Sequence, residues 1–578
     1  MTEDLNTQLV QVLGRIYPGE DLDDLARRVI DVVWPEGHAP RITQRAPSND
    51  LWSQDDSVLI TYGNSVLDGV HKPLDLLYDF LSERLDGVVN SVHILPFFPY
   101  TSDDGFAVTD FEKVEPTLGD WPDIQRIGAR FHLMSDLVLN HVSSQGKWFN
   151  AYRQGQPPYD GFFFEADPKD DLTMVVRPRT TPLLQEVETA NGPRNVWCTF
   201  SHDQVDLNYA NPEVLLEVLR IIRLHVDMGV RILRLDAVAF LWKEIGTPSI
   251  HMPQTHAVVQ LLRVLTDFLE ETVVLLTETN VPKAENLSYF GQSNEAHAIY
   301  NFPLPPLILH AMLSGSAKYL RRWQATMPPA PLGCVYLNFT ASHDGIGMRP
   351  AEGLLPGTEI AQMIQTLTND GALVSMRTLP DGTASVYELN CGYYPAVART
   401  FKGAEEWHME RFLTSQTIVM SLEGVPAFYI HSMLATPNDL EGVERRGMNR
   451  AINRHRWDYE TLLERLNDPE SDQAKVLHAL SERLKLRSRQ PAFHPNATQF
   501  TLALDERVFG IWRQSLDRRQ SVFALHNVSD ETVDVPLDAL NLIADAHWHD
   551  LLSGEEIHPE IETVALAPYQ CRWITNTP

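Results

Sequence analysis

Eight short apolar runs, separated by stretches of helical period, constrain this chain more than any other feature of it. They are SVLITY (57–62), VHILPFF (92–98), FHLMSDLVL (131–139), VRILRLD (230–236), TVVLLTE (272–278), AIYNF (298–302), VYLNF (335–339) and AFYIHS (427–432). Near-continuous apolar strands suit a sheet buried on both faces, and amphipathic crossovers between them make neighbouring strands parallel. Eight such units predict an α/β fold, a closed (β/α)8 TIM barrel. The stretch before the fourth run is the clearest crossover. Asn211 is placed to cap a helix, Pro212 fits its first position, and Val214, Leu215, Val218, Ile222 and Val226 form one stripe. Gly229 then ends it and the strand begins.

The barrel is expected over residues 55–141 and 206–486 of the 578. Residues 1–54 read as a helical N-terminal extension, with Leu9, Val10, Leu13 and Ile16 near helical spacing. Two intervals are too long for plain connections. Residues 142–205, with GFFFEAD and VVRPRTTPLL, read as a small domain inserted after the third strand, and 345–405 as an elaborated loop after the seventh. From 487 to 578 apolar and polar residues alternate between turn signals, which predicts a separate C-terminal antiparallel β-domain.

Composition narrows the function. With 43% hydrophobic and 9% aromatic residues the chain is globular, neither disordered nor collagen-like. Four cysteines (Cys198, Cys334, Cys391, Cys571) have neither CxxC nor metal-ligand spacing, which suits a reducing compartment. The first thirty residues lack the basic start and apolar core of a secretory leader, and no uncharged apolar stretch is long enough to span a bilayer. The expected location is therefore cytoplasmic. The charge balance, 47 − 77 = −30, repels nucleic acid and anionic membranes, so neither is an expected partner. Only 10 of the 47 basic residues are lysine, and an anionic substrate would need locally placed arginines against the global field. A homodimer is the default expectation for assembly.

In barrels of this kind the working groups stand where strands end. The third run ends in Asp136-Leu137-Val138-Leu139-Asn140-His141, the fourth in Arg234-Leu235-Asp236, the fifth in Glu278, and the seventh is followed by His343-Asp344. Taken singly, each acid is as well explained by a cap or a turn. Taken together, three acids on three strand ends are suited to glycosyl transfer with retention, which needs an ionised carboxylate as nucleophile and a protonated carboxyl to help the leaving oxygen depart. Asp236 is assigned as nucleophile, because Arg234 lies two residues earlier on the same strand face and keeps it ionised. Glu278 is assigned as acid/base, its pKa raised by burial and neighbouring carboxylates. Asp344 with His343, and His141 from the third strand, are placed to hold sugar hydroxyls, Asp344 favouring the distorted ring of the transition state.

The strings DLVLNH (136–141), RILRLDAVAF (231–240), TETN (277–280) and ASHDGIG (341–347) resemble the four signature regions of the α-amylase family, glycoside hydrolase family 13. The resemblance extends over roughly residues 55–578 and is nearest to its sucrose phosphorylase-like subgroup, through VHILPFFPYTSDDGF (92–106), VVRPR (175–179), RLDAVAFLWKEIGT (234–247), PLPPLILHA (303–311) and GMNRAINRH (447–455). It implies the same roles for Asp236, Glu278 and Asp344. It further implies that Asp103 and Arg450 bind the far hydroxyls of glucose, closing the donor pocket to a single glucosyl unit. Phe106 and Phe240 become aromatic walls of that pocket, and His141, Arg234 and His343 sugar-binding or nucleophile-supporting residues. Arg179 becomes the phosphate-holding arginine, a guanidinium being suited to bring a dianion into a carboxylate-rich site. Asn140 resembles a calcium-ligand position of amylases, but the subgroup generally dispenses with calcium. No metal and no cofactor are expected, inorganic phosphate being a co-substrate beside the small sugar substrate.

The implied reaction is double displacement through a glucosyl ester of Asp236, giving α-D-glucose 1-phosphate from a small α-glucoside and phosphate. Departures from the sucrose phosphorylase pattern fall on the acceptor side. These are the added residues before the first strand, Thr279-Asn280 in place of the usual Val-His, and a short segment MRPAEGLLP (348–356). They are similar to relatives acting on glucosylglycerol or glucosylglycerate. Asn280, Arg349 and Arg445 are acceptor-site candidates, the arginines for a glycerate carboxylate. The acidic, lysine-poor surface inclines the reading to 2-O-α-glucosylglycerol phosphorylase, with glucosylglycerate phosphorylase next, then sucrose or sucrose 6'-phosphate phosphorylase. An α-glucosidase or transglucosidase that does not use phosphate is the rival among enzymes. A silent amylase-like scaffold is disfavoured because all three acids are present.

Overall fold

The computed structural model describes residues 3–378, 383–403, 406–540, 547–558 and 561–577. The eight apolar runs become the eight strands of a closed parallel barrel. These are β1 (Val58–Thr61), β2 (Ser91–Ile94), β3 (His132–Val138), β4 (Val230–Asp236), β5 (Val274–Thr277), β6 (Ala298–Tyr300), β7 (Val335–Asn338) and β8 (Val425–Tyr429). Each pairs in parallel with its neighbours in chain order, and β8 closes onto β1. The register sets Asp136 of β3 beside Arg234 of β4, and Val138 beside Asp236. Ionisable side chains from two strands thereby stand at one height of the barrel mouth.

The N-terminal extension forms α1 (Glu3–Ile16) and α2 (Leu22–Val33). Asp21 caps α2 by accepting from the Asp24 N–H. The buried stripe of α1 is Leu5, Leu9, Val12, Leu13 and Ile16, with Val10 at its edge only partly covered. Two outer barrel helices receive the extension: α3 (Pro212–Asp227), capped by Asn211 and begun by Pro212 as its sequence implies, packs against α2, and α4 (Pro253–Phe268) against α1. Tyr17, just past α1, donates its hydroxyl to the Tyr209 carbonyl at 2.9 Å, and Tyr209 donates to the Leu139 carbonyl at 2.9 Å. The extension is thus tied to the chain that leads into Asn140 and His141. Farther on, the Trp52 indole donates to the Gly333 carbonyl, ahead of β7.

Between β3 and β4, residues 142–205 hold a helix (Lys147–Arg153) and a hairpin (Leu184–Thr189 with Gly192–Trp197). After β7, the described part of 345–405 holds a helix (Gly357–Asn369) and a three-stranded sheet (Ile346–Gly347, Ala384–Asn390, Leu373–Thr378), while 379–382 and 404–405 of that interval lie outside the described residues. Among the described residues the C-terminal region holds a six-stranded antiparallel sheet plus a separate two-stranded one. Buried arginines knit it to the barrel. Arg487 donates to the carbonyls of Gln54, Met420 and Phe493, and Arg513 to those of Ser421 and His494. Pairing carbonyls with a guanidinium offsets part of the cost of burying either group alone, though burial still lowers both arginine pKa values. All four cysteines are free and buried, and no described helix is long and apolar enough to cross a membrane.

Candidate active site

Residues two apart on a strand share a face, so Arg234 and Asp236 both point into the barrel mouth. One nitrogen of Arg234 donates to Asp236 at 2.6 Å and to Asp136 at 2.5 Å, and Asp136 is also bonded by His93 of β2 at 2.6 Å. Burial works against the charge on Asp136, yet His93 and Arg234 hold its pKa below the ordinary carboxylate value. Asp136 thus fixes the guanidinium, and the guanidinium fixes Asp236. Arg234 also lies over the rings of Phe106 and Tyr300, each at 5.7 Å.

Directly after Asp236 the backbone turns through a left-handed residue, Ala237, with φ 51°. Such a conformation is costly for a residue with a Cβ and is retained where the surroundings enforce it. Here it aims the Ala237 N–H at Glu278, whose Oε2 accepts it at 3.1 Å. Burial raises the pKa of both Asp236 and Glu278, and Glu278 raises that of Asp236 further. Burial and the neighbouring carboxyl push Asp236 up to about 8, and the two acids titrate as a pair. Arg234 donates to Asp236 whereas Glu278 receives only a neutral amide, a difference that favours the charge on Asp236 and the proton on Glu278.

Asp344 has the opposite environment. Burial pushes its pKa up, but the guanidiniums of Arg450 and Arg454 outweigh this and hold it far below the usual carboxylate range. Arg450 meets Asp344 at 2.5 Å and clasps Glu388 with two bonds of 2.8 and 3.0 Å. His343 is kept neutral by burial and stacks flat on Phe106, ring centres 4.9 Å apart. Gly345 is required beside them, since a Cβ there would meet the Leu389 carbonyl at 2.8 Å and the Glu388 carboxyl carbon at 3.0 Å. At the other wall Phe200 packs against both His141 and Phe240, and His141 Nε2 is bonded to the Phe106 carbonyl at 3.0 Å.

Asp103 faces Arg454 at 3.7 Å, while Arg450 is engaged with Asp344 and Glu388. The two arginines stand four apart in NRAINR, and periodicity alone does not choose between them. Arg454 also holds Asp104 at 2.9 Å and is almost fully buried. Asp103 and Asp104 are both left-handed (φ 53° and 47°), a turn that sends Asp104 into a cluster of Arg446, Arg454 and Arg456 and leaves Asp103 partly exposed beside Arg454.

Arg179, from the inserted segment, lies over Tyr387 at 5.0 Å and Phe200 at 5.8 Å. Among the described residues it has no ion-pair partner. Arg349 faces Glu285 at 3.9 Å, and Asn280 packs against Gly347 with its buried Oδ1 unpartnered among the described residues. Arg445 is not brought to the site. It is exposed in the last turn of helix Leu440–Arg446, while Arg446, one helical step on, turns inward to Asp104. Sequence reasoning also missed Glu388 and Tyr387, which arrive on the added sheet. At Asn140, Lys243 places its ammonium between Asn140 Oδ1 (2.7 Å) and Asp206 (3.0 Å). Among the described residues no group of three or more His, Cys, Asp or Glu is arranged to hold a metal ion.

Comparison with known proteins fits this geometry. The family model for the alpha-amylase catalytic domain matches residues 66–330. Glucosylglycerate phosphorylase of Spirochaeta thermophila is 45% identical, over 98% of this chain and 98% of that protein. The chain belongs to the α-amylase family. It is therefore an enzyme, and its barrel is the α-amylase barrel. Glucosylglycerol phosphorylase of Marinobacter adhaerens is a more distant member, 29% identical over 74% of this chain and 86% of that protein. Among solved structures, sucrose 6F-phosphate phosphorylase from Thermoanaerobacter thermosaccharolyticum superposes with a TM-score of 0.71 at 24% identity, covering 82% of this chain and 94% of that one. That likeness speaks for the fold.

Proposed function

We propose that this α-amylase family enzyme is a retaining α-glucoside phosphorylase whose substrate is a glucosylglycerate. Asp236 attacks the anomeric carbon while Glu278 gives its proton to the departing oxygen, leaving a glucosyl ester on Asp236. Glu278, now a carboxylate, takes the proton of the incoming phosphate, whose oxygen forms the new C1–O bond as the ester bond breaks. The product is α-D-glucose 1-phosphate. Asp344, held ionised by Arg450, stabilises positive charge at the anomeric centre. Asp103 and Arg454 close the far end of the pocket around one hexose, between the walls of Phe106, His343, His141 and Phe240.

The observation that carries phosphorolysis over hydrolysis is Arg179, a guanidinium without an acid partner among the described residues, seated on Phe200 and on Tyr387, whose neighbour Glu388 clasps Arg450. Identity of 45% over nearly the whole of both chains favours glycerate over glycerol as leaving group, against the inclination of the surface charge. The test is incubation with glucosylglycerate, glucosylglycerol, sucrose or sucrose 6'-phosphate, with and without phosphate. The reading requires glucose 1-phosphate to form from glucosylglycerate only when phosphate is present. Free glucose at one rate in both conditions would refute it.

A further inference from the structure

We infer that Arg179 receives, in alternation, the phosphate of one half-reaction and the carboxylate of the glycerate in the other, so that the acceptor site is a site for 2-hydroxy acids as a class. This rests on the phosphorylase reading above and extends it.

Both second substrates are anions that must reach the same carbon from the same side, since the glucosyl ester on Asp236 blocks the other face. In phosphate the charged oxygens lie one atom from the oxygen that attacks. In a 2-hydroxy acid they lie two atoms from the attacking hydroxyl. One planar guanidinium with a fork of donors spans both arrangements. The other arginines near the site are committed to acids. Arg450 is paired with Asp344 and Glu388, Arg454 with Asp104, Arg377 with Glu352, and Arg349 faces Glu285. Arg179 has aromatic faces instead, Tyr387 and Phe200, and Phe200 packs on His141 and Phe240 of the donor pocket wall. Arg177, two residues earlier, also lacks an acid partner among the described residues, but none of the site's rings receives it, and two of its nitrogens are buried without hydrogen bonds. Glycerol offers the same attacking hydroxyl without the charge, so a guanidinium with no acid partner among the described residues favours the anionic acceptor over it.

The transfer balances as the phosphate step does. The acceptor's 2-hydroxyl oxygen forms the C1–O bond, its proton passes to the Glu278 carboxylate, and the ester bond breaks to return Asp236 as carboxylate. No co-reactant is needed. It follows that glycolate and lactate, which keep the hydroxy-carboxylate pair and lack the third carbon's hydroxyl, are glucosylated as glycerate is.

The experiment uses α-D-glucosyl fluoride as donor, which loads Asp236 without phosphate, with glycerate, glycolate, lactate, glycerol or 1,2-propanediol as acceptor. The wild-type enzyme is expected to use all three acids at rates within about tenfold of one another and the two neutral alcohols at least about a hundredfold less well. Arg179→Ala is expected to lose about a hundredfold in kcat/KM for phosphate and for glycerate alike, with slow hydrolysis of the fluoride far less affected. Failure of glycerate itself would refute the phosphorylase substrate assigned above. Glycerate accepted while glycolate and lactate are refused would overturn the class inference alone, as would Arg179→Ala losing phosphate but keeping glycerate. The wild-type acceptor panel decides the matter even if the variant does not fold.

Discussion

Glu388→Gln tests how the site is held. Glu388 is buried and receives Arg450 through two charge-assisted bonds, at 2.8 and 3.0 Å, while the third arm of the same guanidinium meets Asp344 at 2.5 Å. Glutamine keeps the shape and one acceptor oxygen but turns an N–H2 donor toward a donor, so one bond of about 1.5–3 kcal/mol is lost and the other becomes neutral. The guanidinium then leans on Asp344 and competes with the sugar hydroxyls for it. If about 1.4–2 kcal/mol of that reaches the transition state, kcat falls about 10–30-fold. The charge change has a second consequence. Glu278 is faced by Asp236 and Asp344 and by the cations Arg234 and Arg450. With Glu388 neutral, Arg450 acts on Glu278 with less opposition and lowers its raised pKa. Cleavage needs Glu278 protonated, so activity is lost as pH rises through that pKa, and the alkaline limb of the pH–kcat profile must move to lower pH. The assay is the initial rate of glucose 1-phosphate formation across pH, on folded variant and wild type side by side. An unmoved alkaline limb with kcat within twofold of wild type would refute the reasoning.

Arg454→Gln, which removes the cation beside Asp103, is expected to raise KM for glucosyl donors about tenfold or more while changing KM for phosphate little, measured by varying each substrate in turn. Tyr17→Phe deletes one hydroxyl and leaves the Tyr209 carbonyl without that donor, so denaturant unfolding is expected to show a loss of about 1–3 kcal/mol. Unchanged stability would mean that the extension is not integral to the barrel.

The barrel was legible because all eight strands are apolar runs bounded by helical periods, and burial on both faces demands that pattern. That Asp236, Glu278 and Asp344 face one another was legible because strand ends share one rim of the barrel. What stayed hidden depends on three-dimensional approach. Asp136 is a strand residue whose purpose emerges only from the register that sets it beside Arg234. Tyr387 and Glu388 come from an added sheet, 43 and 44 residues beyond Asp344, and no period ties that sheet to the barrel rim. The choice between Arg450 and Arg454, and between Arg445 and Arg446, turns on side-chain direction at helical steps. Neighbours in sequence there serve different neighbours in space.

The most direct measurement is mass spectrometry of the glucosyl-enzyme. Glu278→Gln slows the release of the intermediate, and α-D-glucosyl fluoride, with a leaving group that needs little acid help, loads it. After acid quench and proteolysis, the account predicts one hexosyl group carried on Asp236, discharged on addition of an anionic nucleophile such as azide. A hexosyl group on another residue, or steady turnover with retention while Asp236 stays unmodified, would contradict it.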